Sequence, residues 1–185
     1  MKRKTYAEAS KNFPPNKLVR QAITFLKSKD SALDIGAGSL RDSSFLQSEG
    51  FKKVTAIDKN VQDVDEEKIE FIHGNIEDFN FFRQKYDLVV AINILPFLEN
   101  DDFKKIFPEI LDSIKKEGVF CFTLFGLNDD WNLGEKKMNF HSKSEVLDML
   151  KDFSDIKIFI EEERDGGTVN GDEKHWHIFR VVAVK

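Results

Sequence analysis

The sequence predicts an α/β protein, a three-layer sandwich with a mostly parallel seven-stranded sheet, helices on both faces and an antiparallel strand at the C-terminus. Short apolar runs of strand length alternate with segments that have helical spacing, and a glycine turn follows the first run. The last two runs are joined by a short link without a helical pattern, so they must pair in antiparallel fashion. The seven predicted strands are 31–35, 52–58, 69–73, 86–92, 119–125, 156–160 and 175–184.

The totals predict one globular domain, 1–185, in which residues 1–30 form an N-terminal segment and a helix packed on the rest. Hydrophobic residues make up 41% of the chain and charged residues of both signs 33%, which is typical of a folded protein rather than a disordered one. The net charge of −5 disfavours a nucleic-acid backbone as the main partner. We therefore expect a small-molecule substrate, no nucleic acid, and a monomer or homodimer.

Cysteine content and hydropathy indicate the compartment. Cys121 is the only cysteine, so the chain can form no internal disulfide, and we expect this residue to be buried and inert. Residues 1–4 lead into a polar segment without the apolar stretch of a secretory leader. The longest apolar run, 119–125, is far too short to span a bilayer. These features predict a cytoplasmic protein with no membrane partner.

Helix signals precede the first strand. Pro14 and Pro15 end any earlier helix, and Asn16 can cap a new one. Tyr6 and Phe13, nearer to the N-terminus, could fold over a site. Apolar residues recur after Asn16 at helical spacing, which predicts a helix packed on the sheet. They are Leu18, Val19, Ala22, Ile23 and Leu26.

The first strand is followed by a glycine turn and then by a helix predicted over 41–47. Gly36 and Gly38 allow the backbone to come close to a ligand, and with Ala37 they lead into the N-terminus of the helix. We expect this turn to present unpaired backbone N–H groups to the anionic part of a ligand.

Asp58 ends the second strand, twenty residues after Gly38. In a βαβ unit a carboxylate at this distance accepts hydrogen bonds from both ribose hydroxyls. The turn and the carboxylate together predict a site for a nucleotide-like cofactor. Arg41 stands where the dinucleotide fingerprint has its third glycine, which argues against NAD or FAD.

The clearest helix pattern lies between the fourth and fifth strands, where apolar residues recur at i, i+3, i+4, i+7, i+8 and i+11 from Phe103. Asn100 or Asp101 should cap its start, and the lysines at 115–116 should lie at its end. Pro108 falls inside the pattern, which predicts a kink or a later start.

After the fifth strand, 126–140 is a polar loop containing Trp131, and loops at this edge of a sheet often form the substrate entrance. Ser142 and Glu145 have the spacing of a capping box, which predicts a short helix. The link between the last two strands is predicted over 161–174.

The segment 33–38, an acid followed by Gly-x-Gly, resembles the first motif of the class I S-adenosylmethionine-dependent methyltransferases. Together with 41–46 it is most similar to their small tellurite-resistance-type branch. An antiparallel last strand also distinguishes these enzymes from dehydrogenases. The resemblance implies a Rossmann-like methyltransferase fold, S-adenosylmethionine as cofactor with S-adenosylhomocysteine as product, and a soft acceptor such as a chalcogen oxyanion or thiol, or another small metabolite.

The resemblance also implies roles for individual residues. Asp34 should lie near the amino group of the methionine moiety, and residues 75–78, after the third strand, should line the adenine. Ile92 and Asn93 end the fourth strand, where Asn93 is the polar candidate for orienting the substrate. The predicted cofactor-binding residues are Asp34, Gly36, Ala37, Gly38, Asp58, Asn75, Ile76, Ile92 and Asn93.

Catalytic residues are less evident, because methyl transfer chiefly requires alignment of the nucleophile with the methyl group. A general base helps only when the acceptor must lose a proton. His175 and His177 are the catalytic candidates, with Trp176 and His141 as further base or substrate contacts. We expect no metal site, since Cys121 is too deep to join the histidines and no other ligand spacing supports one.

Two other interpretations stay open at this point. One is an NAD-dependent oxidoreductase on a related sheet, which Arg41 and the antiparallel last strand disfavour. The other is a non-catalytic cofactor-binding module, since nothing in the acceptor half of the sequence is diagnostic.

Overall fold

A computed structural model describes residues 12–60, 68–134, 137–169 and 171–185. Tyr6, expected near a site, lies outside these ranges. Within them the α-helices are α1 (Lys17–Ala22), α2 (Arg41–Ser48), α3 (Asn100–Ser113) and α4 (Lys143–Met149). The strands are β1 (Ser31–Ile35), β2 (Lys53–Asp58), β3 (Ile69–His73), β4 (Tyr86–Ala91), β5 (Ile114–Phe125), β6 (Asp155–Gly167) and β7 (Glu173–Val184).

The strands form one sheet in the order β3-β2-β1-β4-β5-β7-β6. Pairing is parallel from β3 through β5, whereas β7 runs antiparallel to both of its neighbours. One apolar layer packs α3 and α4 on one face of the sheet, and a second packs α1 and α2 on the other. The predicted three-layer sandwich with an antiparallel C-terminal strand is confirmed.

Several local predictions are also confirmed. The side chain of Asn16 accepts a hydrogen bond from the Leu18 N–H and caps α1, although the helix ends at Ala22 and continues only as a 3₁₀ turn. Ser142 and Glu145 form the capping box of α4. Cys121 is fully buried, and burial raises the pKa of its thiol well above the ordinary value.

The predicted boundary between α3 and β5 is wrong. Glu99 is the N-cap, without a side-chain hydrogen bond, and Pro108 lies inside a helix that begins at Asn100 rather than later. The helix ends at Ser113, and the lysines at 115–116 belong to β5 instead. The physical reason is tertiary: Lys115 donates to both carboxylate oxygens of Asp87 at 3.0 Å, which draws this segment onto the sheet.

The C-terminal hairpin is longer than predicted. β6 extends to Gly167 and β7 begins at Glu173, so the link contains residues 168–172 rather than 161–174. Cross-strand pairs of polar side chains support the added length, as where Glu163 lies opposite His177. Apolar periodicity does not indicate such polar pairs, so the strands predicted from it were too short.

Among the described residues no helix has both the length and the apolar character needed to cross a bilayer.

A buried ion pair joins the start of β7 to the loop after β5. Lys174 and Asp129 form a salt bridge with side chains 4% and 0% exposed. The Lys174 ammonium also lies 3.8 Å from the ring centre of Trp131 and 4.0 Å from that of Trp176. Asp129 accepts further hydrogen bonds from the N–H groups of Trp131 and His177, so the pair ties the loop to the hairpin.

Replacing Lys174 should destabilise the fold. Lys174→Met leaves the Asp129 carboxylate buried without its cation, and we expect the free energy of unfolding to fall by about 3 kcal/mol. The exposed Lys137, which pairs with Glu99, provides the control, because Lys137→Met should change stability by less than about 1 kcal/mol. Urea unfolding of both variants measures the difference, and equal losses would contradict the role given to the buried pair.

Candidate functional site

The turn between β1 and α2 adopts a left-handed backbone at three positions. The φ angles are +71° at Gly36, +55° at Gly38 and +59° at Leu40. A Cβ atom on Gly36 would lie 2.7 Å from the side chain of Ile94, which follows β4. Position 36 therefore requires glycine both for its conformation and for its space.

The turn does not present unpaired N–H groups at positions 36–38, contrary to the prediction. The amides of Gly36 and Ala37 donate to the carbonyl of Ile57, at 2.9 and 3.1 Å, and the amide of Gly38 donates to the Asp58 carboxylate at 2.8 Å. These bonds fasten the turn to the end of β2. They hold the backbone close to Asp58 rather than leaving donors for an anion.

Two cavities open at the carboxyl edge of the parallel strands, where α/β sheets bind ligands. The smaller has a volume of about 30 Å³ and the larger about 150 Å³. Gly36 lines both. Of the other predicted cofactor residues, Asp34, Ala37, Gly38 and Ile92 line the smaller cavity, whereas Asp58, Asn75 and Ile76 line the larger.

Sequence reasoning missed further lining residues. Arg41 and Asp42 line the smaller cavity, and Phe97 and Leu98 line the larger, which Glu77 of the predicted segment 75–78 also lines. Arg41 follows the glycine turn closely in the sequence, and this position could have indicated that it lines the smaller cavity. Phe97 ends a 3₁₀ turn after β4 and Leu98 follows it, and the approach of these residues to the ends of β2 and β3 depends on tertiary packing.

Asp58 is held by the chain on both carboxylate oxygens. Oδ2 accepts from the Gly38 amide, and Oδ1 accepts from the backbone and side-chain nitrogens of Asn60, at 2.8 and 2.7 Å. A carboxylate offers about four acceptor positions, so one is open here and displacement of the Asn60 side chain would open a second. The carboxylate can therefore accept two hydroxyl donors from one ligand.

Asp34 is a buried carboxyl, 3% exposed, that accepts a 2.6 Å hydrogen bond from the Ser43 hydroxyl. Its pKa is raised from 3.8 to about 7, mainly because burial disfavours the charged form and secondly because the Asp42 carboxylate is near. The Ser43 hydrogen bond and the Arg41 guanidinium act in the opposite direction. A cation placed in this cavity would favour the ionised carboxylate.

Arg41 and Asp42 form a partly buried ion pair in the wall of the smaller cavity. The guanidinium donates to both carboxylate oxygens of Asp42, at 3.2 and 2.8 Å. The Asn16 amide also donates to Asp42 at 2.7 Å, which ties the start of α1 to this wall. The smaller cavity thus has groups of both charges around it.

Asn93 lines neither cavity. It adopts a left-handed backbone with φ of +54°, and its amide donates to the Thr123 hydroxyl at 2.8 Å. The left-handed residue separates Ile92, which lines the smaller cavity, from Ile94, which lines the larger. In this structure Asn93 shapes the site rather than facing either cavity.

The candidate catalytic histidines line neither cavity. His175 lies between Asp165 and Glu163 of β6, at 2.8 and 3.1 Å, and these carboxylates raise the pKa of its imidazole. His177 is buried, with Nδ1 accepting from the Asn128 amide at 3.2 Å. Both lie at the same edge of the sheet as the cavities, within the C-terminal hairpin.

His141 and Trp176 also contact protein groups. Nε2 of His141 lies 2.8 Å from Oδ1 of Asn139, and burial lowers the pKa of its imidazole. The Trp176 indole donates to the Gly166 carbonyl and packs against Trp131 with ring centres 5.3 Å apart. Within the described residues no group of three or more His, Cys, Asp or Glu side chains has the arrangement of a metal site.

Asp34 should make the unliganded chain less stable as the pH rises. Between 3.8 and about 7 the folded state retains a proton that the unfolded state releases, so the free energy of unfolding falls across this range. Asp34→Asn stays neutral and can still accept from Ser43. It should therefore be more stable than the unsubstituted chain at about pH 8 and gain little at about pH 4.

Urea unfolding at the two pH values measures this effect. The exposed Asp152 supplies the control, since Asp152→Asn makes the same chemical change at a position where no carboxyl is buried. A stability difference for Asp34→Asn that is the same at both pH values would contradict the raised pKa.

Residues 32–118 match the family model described as a methyltransferase domain, and this segment contains β1 through β4 and both cavities. Malonyl-acyl-carrier-protein O-methyltransferase of Calditerrivibrio nitroreducens is 27% identical over 128 residues, which covers 65% of this chain. The chain spans about half the length of that curated relative (50%).

Solved structures show the same fold. TehB from Haemophilus influenzae aligns with a TM-score of 0.71 and 18% identity, covering 91% of this chain and 61% of that one. The 1,6-didemethyltoxoflavin-N1-methyltransferase of Burkholderia thailandensis, crystallised with S-adenosylhomocysteine, aligns with a TM-score of 0.61 and 16% identity, covering 91% and 78%. Residues 32–118 are thus similar to a methyltransferase domain, and the chain has the fold of these solved structures.

Proposed function

We propose that this chain transfers the methyl group of S-adenosylmethionine to a small-molecule acceptor, with the cofactor lying across Gly36. The observation that carries the proposal is that Gly36 lines both cavities, so one extended ligand can occupy them together. The methionine part would occupy the smaller cavity and the nucleoside the larger. Since only glycine fits at position 36, the backbone there can contact the middle of the ligand.

The larger cavity fits a nucleoside. Asp58 has acceptor capacity for the two ribose hydroxyls once the Asn60 side chain moves aside. Asn75, Ile76 and Glu77, beyond β3, supply an apolar contact and polar groups for the adenine. This is the arrangement that the sequence predicted for Asp58, Asn75 and Ile76.

The smaller cavity fits the zwitterionic end of methionine. Asp34 and Asp42 can stabilise the ammonium group and the positive sulfonium, and Arg41 can bind the carboxylate. Binding of these cations favours ionisation of Asp34, whose pKa is about 7 in the unliganded chain.

The bound cofactor supplies an electrophilic methyl group on a good leaving group. The protein must then bind the acceptor in line with that methyl group and exclude water. A base is required only for an acceptor that loses a proton, and His175 or His177 would serve at the hairpin. We propose these histidines for that role because they lie at the same edge of the sheet as the cavities.

The acceptor is proposed to be a soft nucleophile, a thiol or chalcogen oxyanion, or another small metabolite. Phe97, which lines the larger cavity, contacts both Phe125 and Trp131, with ring centres 5.9 Å apart in each pair, and these rings offer an apolar surface to an acceptor. The name of the curated relative adds a carboxylate to the acceptors worth testing. Assignment to the tellurite-resistance-type branch, a cytoplasmic location and a monomeric or homodimeric state stay predictions.

Calorimetric titration with S-adenosylhomocysteine, followed by turnover assays on thiol, oxyanion, amine and carboxylate acceptors, tests the proposal. We expect micromolar binding and methylation of at least one acceptor class. Absence of binding at about millimolar ligand would reject the proposal, because it corresponds to less than about 4 kcal/mol of binding free energy. Tight binding without any product would instead favour a non-catalytic cofactor-binding module.

Gly36→Ala should weaken cofactor binding specifically. Its methyl group would meet the Ile94 side chain at 2.7 Å and push the turn into the space between the cavities. Gly50→Ala is a matched control, because Gly50 also has a positive φ but has no atom within 4 Å of the added methyl. Both variants should lose about 1 kcal/mol of stability from backbone strain, and only Gly36→Ala should weaken S-adenosylhomocysteine binding by about tenfold or more. Comparable affinities for the two would contradict this placement.

Asp58→Asn should also weaken S-adenosylhomocysteine binding by about tenfold or more, because charge-assisted hydrogen bonds to the ribose would be lost. The amide keeps the size of the side chain and can still accept from Gly38, so the turn should persist. Titration calorimetry compares it with Asp112→Asn, a change at an exposed residue of α3. An unaltered affinity in Asp58→Asn would show that the ribose is bound elsewhere.

A further inference from the structure

We propose that Asn139 is a positioning residue for the cofactor, because it fixes the 3₁₀ turn Leu95–Phe97 that forms one wall of the larger cavity. The inference rests on the proposed function. It concerns a residue of the loop after β5, which lines neither cavity itself.

The contacts of Asn139 converge on this turn. Its side-chain amide donates to the carbonyls of Leu95 and Leu98, at 2.7 and 2.9 Å, and its backbone N–H donates to the carbonyl of Pro96 at 3.1 Å. Three carbonyls in four consecutive residues thus accept from one residue, which is 0% exposed. A single 3₁₀ turn has little stability of its own, so these bonds determine where it lies.

His141 fixes the orientation of the Asn139 amide. The Asn139 oxygen can only accept, so the hydrogen on Nε2 of His141 must point at it across 2.8 Å. His141 is itself attached to the sheet, since its backbone amide donates to the Phe125 carbonyl at 2.9 Å at the end of β5. The position of the turn after β4 relative to β5 is therefore fixed through the buried side chains of Asn139 and His141.

The turn matters because of the two residues it places in the cavity. Phe97 and Leu98 line the larger cavity together with Asp58 and Asn75. Phe97 stays 48% exposed, so packing alone does not fix it, whereas Leu98 is 3% exposed. Release of the carbonyls by Asn139 would let this wall move away from the nucleoside.

The test compares Asn139→Ala with Asn132→Ala. Asn132 lies in the same loop, but its amide donates only to the Leu127 carbonyl within that loop, at 2.8 Å. Binding of S-adenosylhomocysteine is measured by calorimetry about 20 °C below each melting midpoint, where destabilised variants remain folded. We expect about tenfold weaker binding in Asn139→Ala and no change in Asn132→Ala, because the two side-chain hydrogen bonds to the turn are lost only in the first.

A purely structural role would lower the melting midpoint of Asn139→Ala and leave the affinity of the folded protein unchanged, and that result would overturn the proposal. If Asn139→Ala does not fold, His141→Phe decides the question. It keeps a ring against Phe103, now with centres 4.9 Å apart, and removes the donor that orients Asn139. We expect about threefold weaker binding in this variant, and unchanged affinity would overturn the proposal.

Binding of S-adenosylhomocysteine to the unsubstituted chain distinguishes failure of the proposed function from failure of the positioning role. If it does not bind S-adenosylhomocysteine, the proposed function fails and the role of Asn139 fails with it. If it binds and the Asn139 and His141 variants bind equally well, the positioning role alone is wrong.

Discussion

The close approach of the β1 turn to the turn after β4 is the constraint on which the site depends. A Cβ atom on Gly36 would clash with the side chain of Ile94. The amides of residues 36–38 donate hydrogen bonds to the end of β2. Three strand ends thereby converge on one backbone segment. This segment divides the space at the sheet edge into two cavities, and any ligand that spans them must cross a surface made of main chain. A site of this kind selects for the length of its ligand as much as for its functional groups.

Carboxylates around this segment differ because their surroundings differ. Asp58 accepts hydrogen bonds from the backbone N–H groups of Gly38 and Asn60, which hold both of its carboxylate oxygens in place. Asp34 is desolvated beneath the turn, so its pKa is raised to about 7 and its charge depends on what enters the cavity. The same residue type therefore supplies an acceptor held by main-chain donors at one end of the segment and a charge that depends on the contents of the cavity at the other.

The fold could be predicted from the sequence because it depends on local patterns, and for the same reason most of the residues predicted to bind the cofactor line the two cavities. Apolar periodicity located seven strands, and the short link before β7 set its direction. The spacing from the glycine turn to Asp58 predicted two features that the structure brings together, since the Gly38 amide donates to the Asp58 carboxylate. Predictions failed where distant partners decide the outcome: Asp87 draws Lys115 into β5, and the amides at 36–38 find their acceptors on β2. No periodicity in one segment reports such a partner in another.

The acceptor half was not predictable for a related reason. The cofactor half draws on two short motifs, whereas the other side combines the turn at 95–98, the loop at 126–141 and the start of β7. These segments are joined by buried polar contacts, Asn139 to the carbonyls of the turn and Lys174 to Asp129 in the loop. Each contact satisfies a buried group that would otherwise be costly, so the three segments move or stay together. None of these segments supplies the glycine turn, and the partners that fix their positions lie far apart in the sequence, so the surface on this side depends on tertiary contacts rather than on a motif.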